Sequence, residues 1–164
     1  MKIGFSTSNS LVSKIIRKIT KSKVSHTYIK CQVEKYDVVL HANQNGVEFD
    51  KYTDFDRKFD IVAEYDLKLT AEQEDAFMLY AVRQLDRPYD FLGVAGFLWV
   101  LVNRSFNRKV KNPFSNRSAY YCSELIISSL QAAQFVGSEV FDKDITTPED
   151  LLVFLDNHHL AVKT

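Results

Sequence analysis

Cys122, His26 and His41 are the side chains in this sequence best suited to nucleophilic chemistry. Cys122 stands in Tyr120-Tyr121-Cys122-Ser123-Glu124-Leu125, and Leu125, Ile126, Leu130 and Ala133 follow it at helical spacing. The pattern predicts a helix with Cys122 in its first turn, on the buried face. There the positive end of the helix dipole favours a thiolate over a thiol. A cysteine nucleophile also needs a base, a group that orients the base, and donors for a developing oxyanion. His26 opens a predicted strand and points to its polar side, so it can be the base. His41 falls on the next predicted strand; if the two strands pair, it lies beside His26 and fixes its tautomer. The backbone N–H of Cys122 is one oxyanion donor, and Tyr28 and Tyr121 are candidates to line the cleft or add another. Glu124 reads as an acid that helps the helix start rather than as a catalytic group. Taken alone, a cysteine that opens a helix is more often a small buried residue.

Zinc is the competing use of the same side chains. Cys122, His26, His41 and Cys31 could in principle form a mixed site. No C-x-x-C or H-x-x-x-H spacing occurs, and strand alternation puts Cys31 on the face opposite His26. His158-His159, near the end of the last predicted helix, suits a helix C-terminus better than a metal. The expectation is therefore no metal and no cofactor.

The elements that must position these groups follow from periodicity. Lys2 to Phe5 predicts a short strand. Ser8-Asn9-Ser10 offers caps to a helix carrying Leu11, Val12, Ile15, Ile16 and Ile19, with Lys14, Arg17, Lys18, Lys21 and Lys23 on or near its other face. Residues 25–33 alternate: Thr27, Ile29, Cys31 and Val33 against His26, Tyr28, Lys30 and Gln32. Tyr36 to Ala42 predicts a second strand of a hairpin turned at Asn45-Gly46, returning through Val47 to Phe49. Asp50 to Lys58 reads as a loop or short helix, and Phe59 to Leu67 as a strand with one wet face. Thr70 to Gln73 fits a capping box for a helix that ends before Pro88. Phe91 to Val102 is apolar all round and predicts a buried helix, with insertion into a membrane surface as the alternative. Asn103 to Arg117 reads as a long basic loop, and Thr147-Pro148-Glu149-Asp150 as a helix start.

Composition bounds the rest. The chain has 164 residues, 46% hydrophobic and 26% charged, which suits one globular domain spanning residues 1–164. Its 21 basic and 21 acidic residues cancel, which argues against a dedicated nucleic-acid binder. Two cysteines do not make a disulfide framework, and the first residues lack an apolar stretch of signal-peptide length. A soluble protein in a reducing cytoplasm is expected.

The order of short motifs resembles the permuted branch of the NlpC/P60 superfamily of papain-like enzymes, in which the catalytic His precedes the Cys. The matching pieces are Ile3-Gly4-Phe5, then Val24-Ser25-His26-Thr27-Tyr28-Ile29, then Val39-Leu40-His41-Ala42 with Gly46-Val47 behind it. Arg87-Pro88-Tyr89-Asp90, Tyr121-Cys122-Ser123-Glu124-Leu125 and Thr147-Pro148 follow in the family's order. The resemblance implies an α+β fold of permuted papain-like type, a central antiparallel sheet packed against helices. It implies Cys122 as nucleophile, His26 as base, and a third polar residue at His41, where members often carry Glu. An imidazole there has no negative charge to stabilise an imidazolium. The implied activity is that of a cysteine peptidase or amidase, hydrolysing amide bonds of peptide or peptidoglycan type through an acyl-enzyme. Two alternatives stand beside it. One is a lipid acyltransferase or esterase at a membrane surface, although Cys-Ser-Glu-Leu differs from the Asn-Cys-Glu-His of lecithin:retinol acyltransferase-like proteins. The other is a catalytically inactive papain-like binding module.

Overall fold

A computed structural model describes the chain except for residues 106–107, 109, 112, 114–119, 144 and 158–160. The expected His158-His159 pair, and most of the expected loop up to Arg117, lie outside the described residues. The fold is α+β. Six strands, β1 (Lys2–Thr7), β2 (His26–Val33), β3 (Tyr36–Asn43), β4 (Gly46–Lys51), β5 (Asp60–Leu67) and β6 (Ala161–Lys163), form one antiparallel sheet in the order β4-β3-β2-β1-β5-β6. The helices are α1 (Leu11–Thr20), α2 (Tyr52–Phe55), α3 (Ala71–Val82), α4 (Phe91–Ser105), α5 (Cys122–Ala132) and α6 (Pro148–Asn157).

Strand alternation sorts the core. Ile3, Phe5, Ile29, Leu40, Ala42, Ala63 and Tyr65 share one cluster with Phe77 of α3, Leu125, Ile126 and Leu130 of α5, and Leu151 and Leu155 of α6. The alternate residues Tyr28 and Val39 form a second cluster with Phe55 of α2. The Tyr28 ring lies across Gly4 on the neighbouring strand, where an added Cβ would meet it at 2.0 Å. It thereby reaches Glu64 on β5, donating its hydroxyl to Oε1 at 2.9 Å. Lys30 and Lys2 approach the same carboxylate at 3.4 and 3.7 Å, so this buried acid is paired. A row of Tyr28, Gly4 and Glu64 thus ties three strands together.

Local signals set the helix starts. Ser10 accepts from the Ser13 N–H, Thr70 and Gln73 close a reciprocal capping box, and Thr147 and Asp150 do the same before α6. The β3–β4 turn falls on Gln44-Asn45, one residue before the position expected, and Gly46 pairs with Asn43. Gly46 has φ 119°, and a Cβ there would meet the Arg87 carbonyl oxygen at 2.5 Å. β6 was not foreseen; its three residues are too short for periodicity to register.

Helix α4 departs from the expectation of burial. Val94, Phe97 and Val100 are buried, but Phe91, Leu92, Trp99 and Val102 are exposed. Periodicity cannot separate the two faces of a helix that is apolar all round. Among the described residues, no helix is long and apolar enough to cross a membrane.

Candidate active site

Two segments far apart in sequence bring the cysteine to the sheet. The Asp90 N–H donates to the Tyr120 carbonyl at 3.2 Å, and the Tyr120 N–H to the Pro88 carbonyl at 3.1 Å. This parallel bridge between Tyr89 and Tyr120 aligns the approach to α4 with the approach to α5. Asp90 then caps α4, its Oδ1 accepting from the Gly93 N–H at 2.6 Å. Gly93 is required there, since a Cβ would meet the capping carboxylate at 2.1 Å.

Cys122 is the first residue of α5, as its spacing predicts, and is buried. The backbone N–H groups of Thr27, Ser123 and Cys122 itself lie near its sulfur and pull its ionisation down. Thr27 is the residue next to His26 on β2, the strand against which α5 packs. The three donors favour a thiolate, yet burial outweighs them and pushes the thiol up to about 11. The dipole argument made from sequence is therefore overridden, because it takes no account of desolvation.

His26 and His41 do meet. His26 Nε2 and His41 Nδ1 are 3.0 Å apart, with the rings edge to face. Phe59 stacks on His26 with ring centroids 5.2 Å apart, and Phe55 lies edge-on to His41 at 5.1 Å. The segment from Asp50 to Phe59 thus walls in both imidazoles. Burial, followed by the nearby His41, holds His26 well below its ordinary value, so it is a neutral base at neutral pH. His41 is also lowered by burial, against the opposing pull of Asp50 and Glu48.

Those two acids are what the sequence reading missed. The β3–β4 register places Glu48 directly opposite His41, and Asp50 follows on the same face. Asp50 Oδ2 is 3.4 Å from His41 Nε2 and 3.6 Å from Lys58 Nζ. Asn43 Nδ2 lies 3.1 Å from His41 Nε2 and donates to Glu48 Oε1 at 2.5 Å. His41, Glu48 and Asp50 offer ligand atoms within 4.8 Å of one another. The signal was present: strand alternation behind the turn puts Glu48 and Asp50 on one face.

The expected tyrosine donors are committed elsewhere. Tyr28 donates to Glu64, and the Tyr121 hydroxyl to the Lys143 carbonyl. Tyr89 is instead the tyrosine beside the thiol: burial and then the adjacent Cys122 push its phenol up. It lines a cleft of about 580 Å³ together with His26, Asn43, Glu48, Asp50 and Phe59. Cys31 is half-buried at a different position on β2, and its side chain points away from His26 as alternation predicts.

No family model matches the chain, and no curated protein does. A solved structure does. The metalloprotein YiiX of Escherichia coli O157:H7, described as DUF1105, superposes with a TM-score of 0.58 at 18% identity, covering 99% of this chain and 94% of that one. At that identity the likeness is one of fold. The resemblance to the NlpC/P60 superfamily is thereby corrected. Its motifs are short, and several answer local needs: Gly4 makes room for Tyr28, Asp90 caps α4, and Thr147-Pro148 opens α6. What the chain is similar to is a DUF1105 metalloprotein.

Proposed function

We propose that the chain is a thiol-dependent hydrolase of amide or ester bonds, with Cys122 as nucleophile and His26 as base. The observation that carries this reading is the run of Asp50, His41 and His26, together with a buried thiol at the first residue of α5 near the Thr27 N–H. Asp50 supplies the negative charge that a second histidine lacks. With His41 Nε2–H directed at Asp50, His41 Nδ1 accepts from His26 Nε2–H, and His26 Nδ1 keeps a free lone pair. Thiol and imidazole are both neutral at rest, so the proton leaves sulfur during attack rather than before it.

In the first step the Cys122 sulfur bonds to the carbonyl carbon and its proton passes to His26. The Tyr89 hydroxyl and the N–H groups at the start of α5 are the donors near the developing oxyanion. The carbon–nitrogen or carbon–oxygen bond then breaks, and the leaving group takes the proton from His26. Water, deprotonated by His26, adds to the thioester, which collapses to the acid and the free thiol. Intact-mass analysis with nitrophenyl esters and aryl amides tests this. One acyl group is expected on Cys122, lost in Cys122→Ala and formed on the order of 100-fold more slowly in His26→Gln. Turnover that survives Cys122→Ala overturns the reading.

A second reading is favoured by the cluster of His41, Glu48 and Asp50 together with the metalloprotein described for the structural neighbour. One imidazole nitrogen and two carboxylates suit a zinc- or manganese-class cation. His41 would then give its Nε2 lone pair to the ion and carry its proton on Nδ1. That proton points at His26 Nε2 and puts the His26 proton on Nδ1, where the base is needed. The two readings exclude one another at His41. Calorimetry with zinc separates them: tight binding lost in Glu48→Gln supports the metal.

A further inference from the structure

Helix α4 carries an outward stripe with no polar residue. Leu92, Ala95, Trp99 and Val102 recur at helical spacing and are all exposed, Leu92 at 65% and Trp99 at 56%. A helix against water ordinarily turns charged and polar side chains outward. Helix α1 packs beside α4 and does the same in part: Leu11 is 74% exposed, with Val12 and Ile15 also in solvent. Val12 and Phe91 both line the cleft that holds His26, so the two apolar faces meet at its mouth.

Charge is segregated in the same way. The chain is neutral overall, yet residues 1–33 and 91–123 contain no Asp or Glu. Residues 1–33 carry Lys2, Lys14, Arg17, Lys18, Lys21, Lys23 and Lys30, and Lys14, Lys18 and Lys21 are exposed on or just beyond α1. The segments that present the apolar faces are therefore purely basic. Apolar side chains rimmed by lysines match the two attractions of an anionic bilayer surface, burial below the headgroups and charge at their level.

We propose that the α1–α4 face docks on an anionic lipid surface and that the cleft takes its substrate, an acyl ester of a membrane lipid, from that surface. The substrate half rests on the thiol-hydrolase reading; the docking half does not. In the step at issue, the Cys122 sulfur takes the acyl carbon as the lipid's ester C–O bond breaks. The thiol proton passes through His26 to the departing alcohol, and water then releases the fatty acid.

Trp99 is the chain's one tryptophan and sits on the stripe, so it reports directly. The full chain is mixed with phosphatidylcholine vesicles, with and without phosphatidylglycerol. With the anionic lipid, Trp99 emission is expected to shift to the blue and to be quenched by brominated acyl chains. Each basic residue near an anionic surface is worth about 1 kcal/mol, so three lysines give roughly 100-fold tighter partition than to the neutral vesicle. Leu92→Ser and Leu11→Ser should weaken binding, whereas Cys122→Ala should not. No blue shift with anionic vesicles overturns the docking, as does emission already blue in free protein or a lipid-free dimer that buries Trp99. Docking that proceeds normally with no fatty acid released, while soluble esters still acylate Cys122, overturns the lipid substrate alone. Failure of those soluble esters instead sinks the hydrolase reading and leaves the surface standing.

Discussion

The resting state of Cys122 is the part of the mechanism open to direct measurement. Burial carries the thiol from its ordinary 9.0 to about 11. Two units correspond to about 2.7 kcal/mol, or roughly a 100-fold smaller thiolate fraction at neutral pH. Iodoacetamide reacts with the thiolate, so the alkylation rate of Cys122 should rise about tenfold per pH unit through pH ~9 to ~10 and level only near 11. The side chain is nearly inaccessible, which slows alkylation at every pH; the midpoint of the profile is therefore the readout, not the absolute rate. Peptide-resolved mass spectrometry separates Cys122 from Cys31, whose thiol is also raised by burial but which is half-exposed. In urea, where burial is lost, the Cys122 midpoint should return to the ordinary value. A profile that levels at or below pH ~8 refutes the reasoning. It would mean that a thiolate–imidazolium pair already exists at rest and that proton transfer precedes attack.

Other consequences are as direct. His26 and His41 are both held below the ordinary 6.5, so the unfolded chain binds more protons at acid pH and stability falls as pH drops below about 6.5. Melting curves from pH 8 to pH 5 should show this slope, flattened in His26→Gln. Gly4→Ala drives a methyl into the buried Tyr28 ring and should cost about 1–3 kcal/mol in urea unfolding. An unchanged midpoint would show that the ring can move off β1. Asp50→Asn keeps the shape behind His41 but removes its charge, and should slow acylation of Cys122 on the order of 10²–10⁴-fold. Acylation at the parent rate would remove Asp50 from the relay.

Asn43 gives the His41 tautomer a second contender. Its amide is oriented by two partners, Oδ1 accepting from the Asn45 N–H at 2.7 Å and Nδ2 donating to Glu48. The remaining Nδ2 proton is directed at His41 Nε2, which must then be unprotonated. Asp50 asks for the opposite, a proton on Nε2. The carboxylate and the amide therefore pull His41 between two tautomers, and only the one facing Asp50 leaves His26 Nδ1 free to take a proton. Asn43→Ala removes the contender and should raise the rate of acylation, whereas a structural role alone would lower it.

What the sequence carries and what it does not divides along a physical line. Alternation places His26 and His41 on one side of neighbouring strands, and the structure sets them 3.0 Å apart. Helical spacing puts Cys122 at the first turn of α5, and the caps at Ser10, Thr70 and Thr147 fall where side-chain chemistry demands. These are one-dimensional signals, fixed by periods of 2 and 3.6. Asp50 needed one further step, the register of the β3–β4 hairpin, and the turn lies one residue from where Asn45-Gly46 suggests. Tyr89 was out of reach, because its place beside Cys122 depends on pairing with Tyr120 across a stretch that periodicity leaves blank. The thiol's ionisation was misjudged for the same reason: a helix dipole is local, but desolvation is a property of everything packed around the sulfur. The outward face of α4 shows the limit from the other side. A helix that is apolar all round says nothing about which stripe is buried, and so its exposed stripe became visible only when Val94, Phe97 and Val100 were found to occupy the core side. That stripe lies beside the cleft rather than within the sheet's core, so the proposed docking face rests on a three-dimensional observation and not on the run of apolar residues itself.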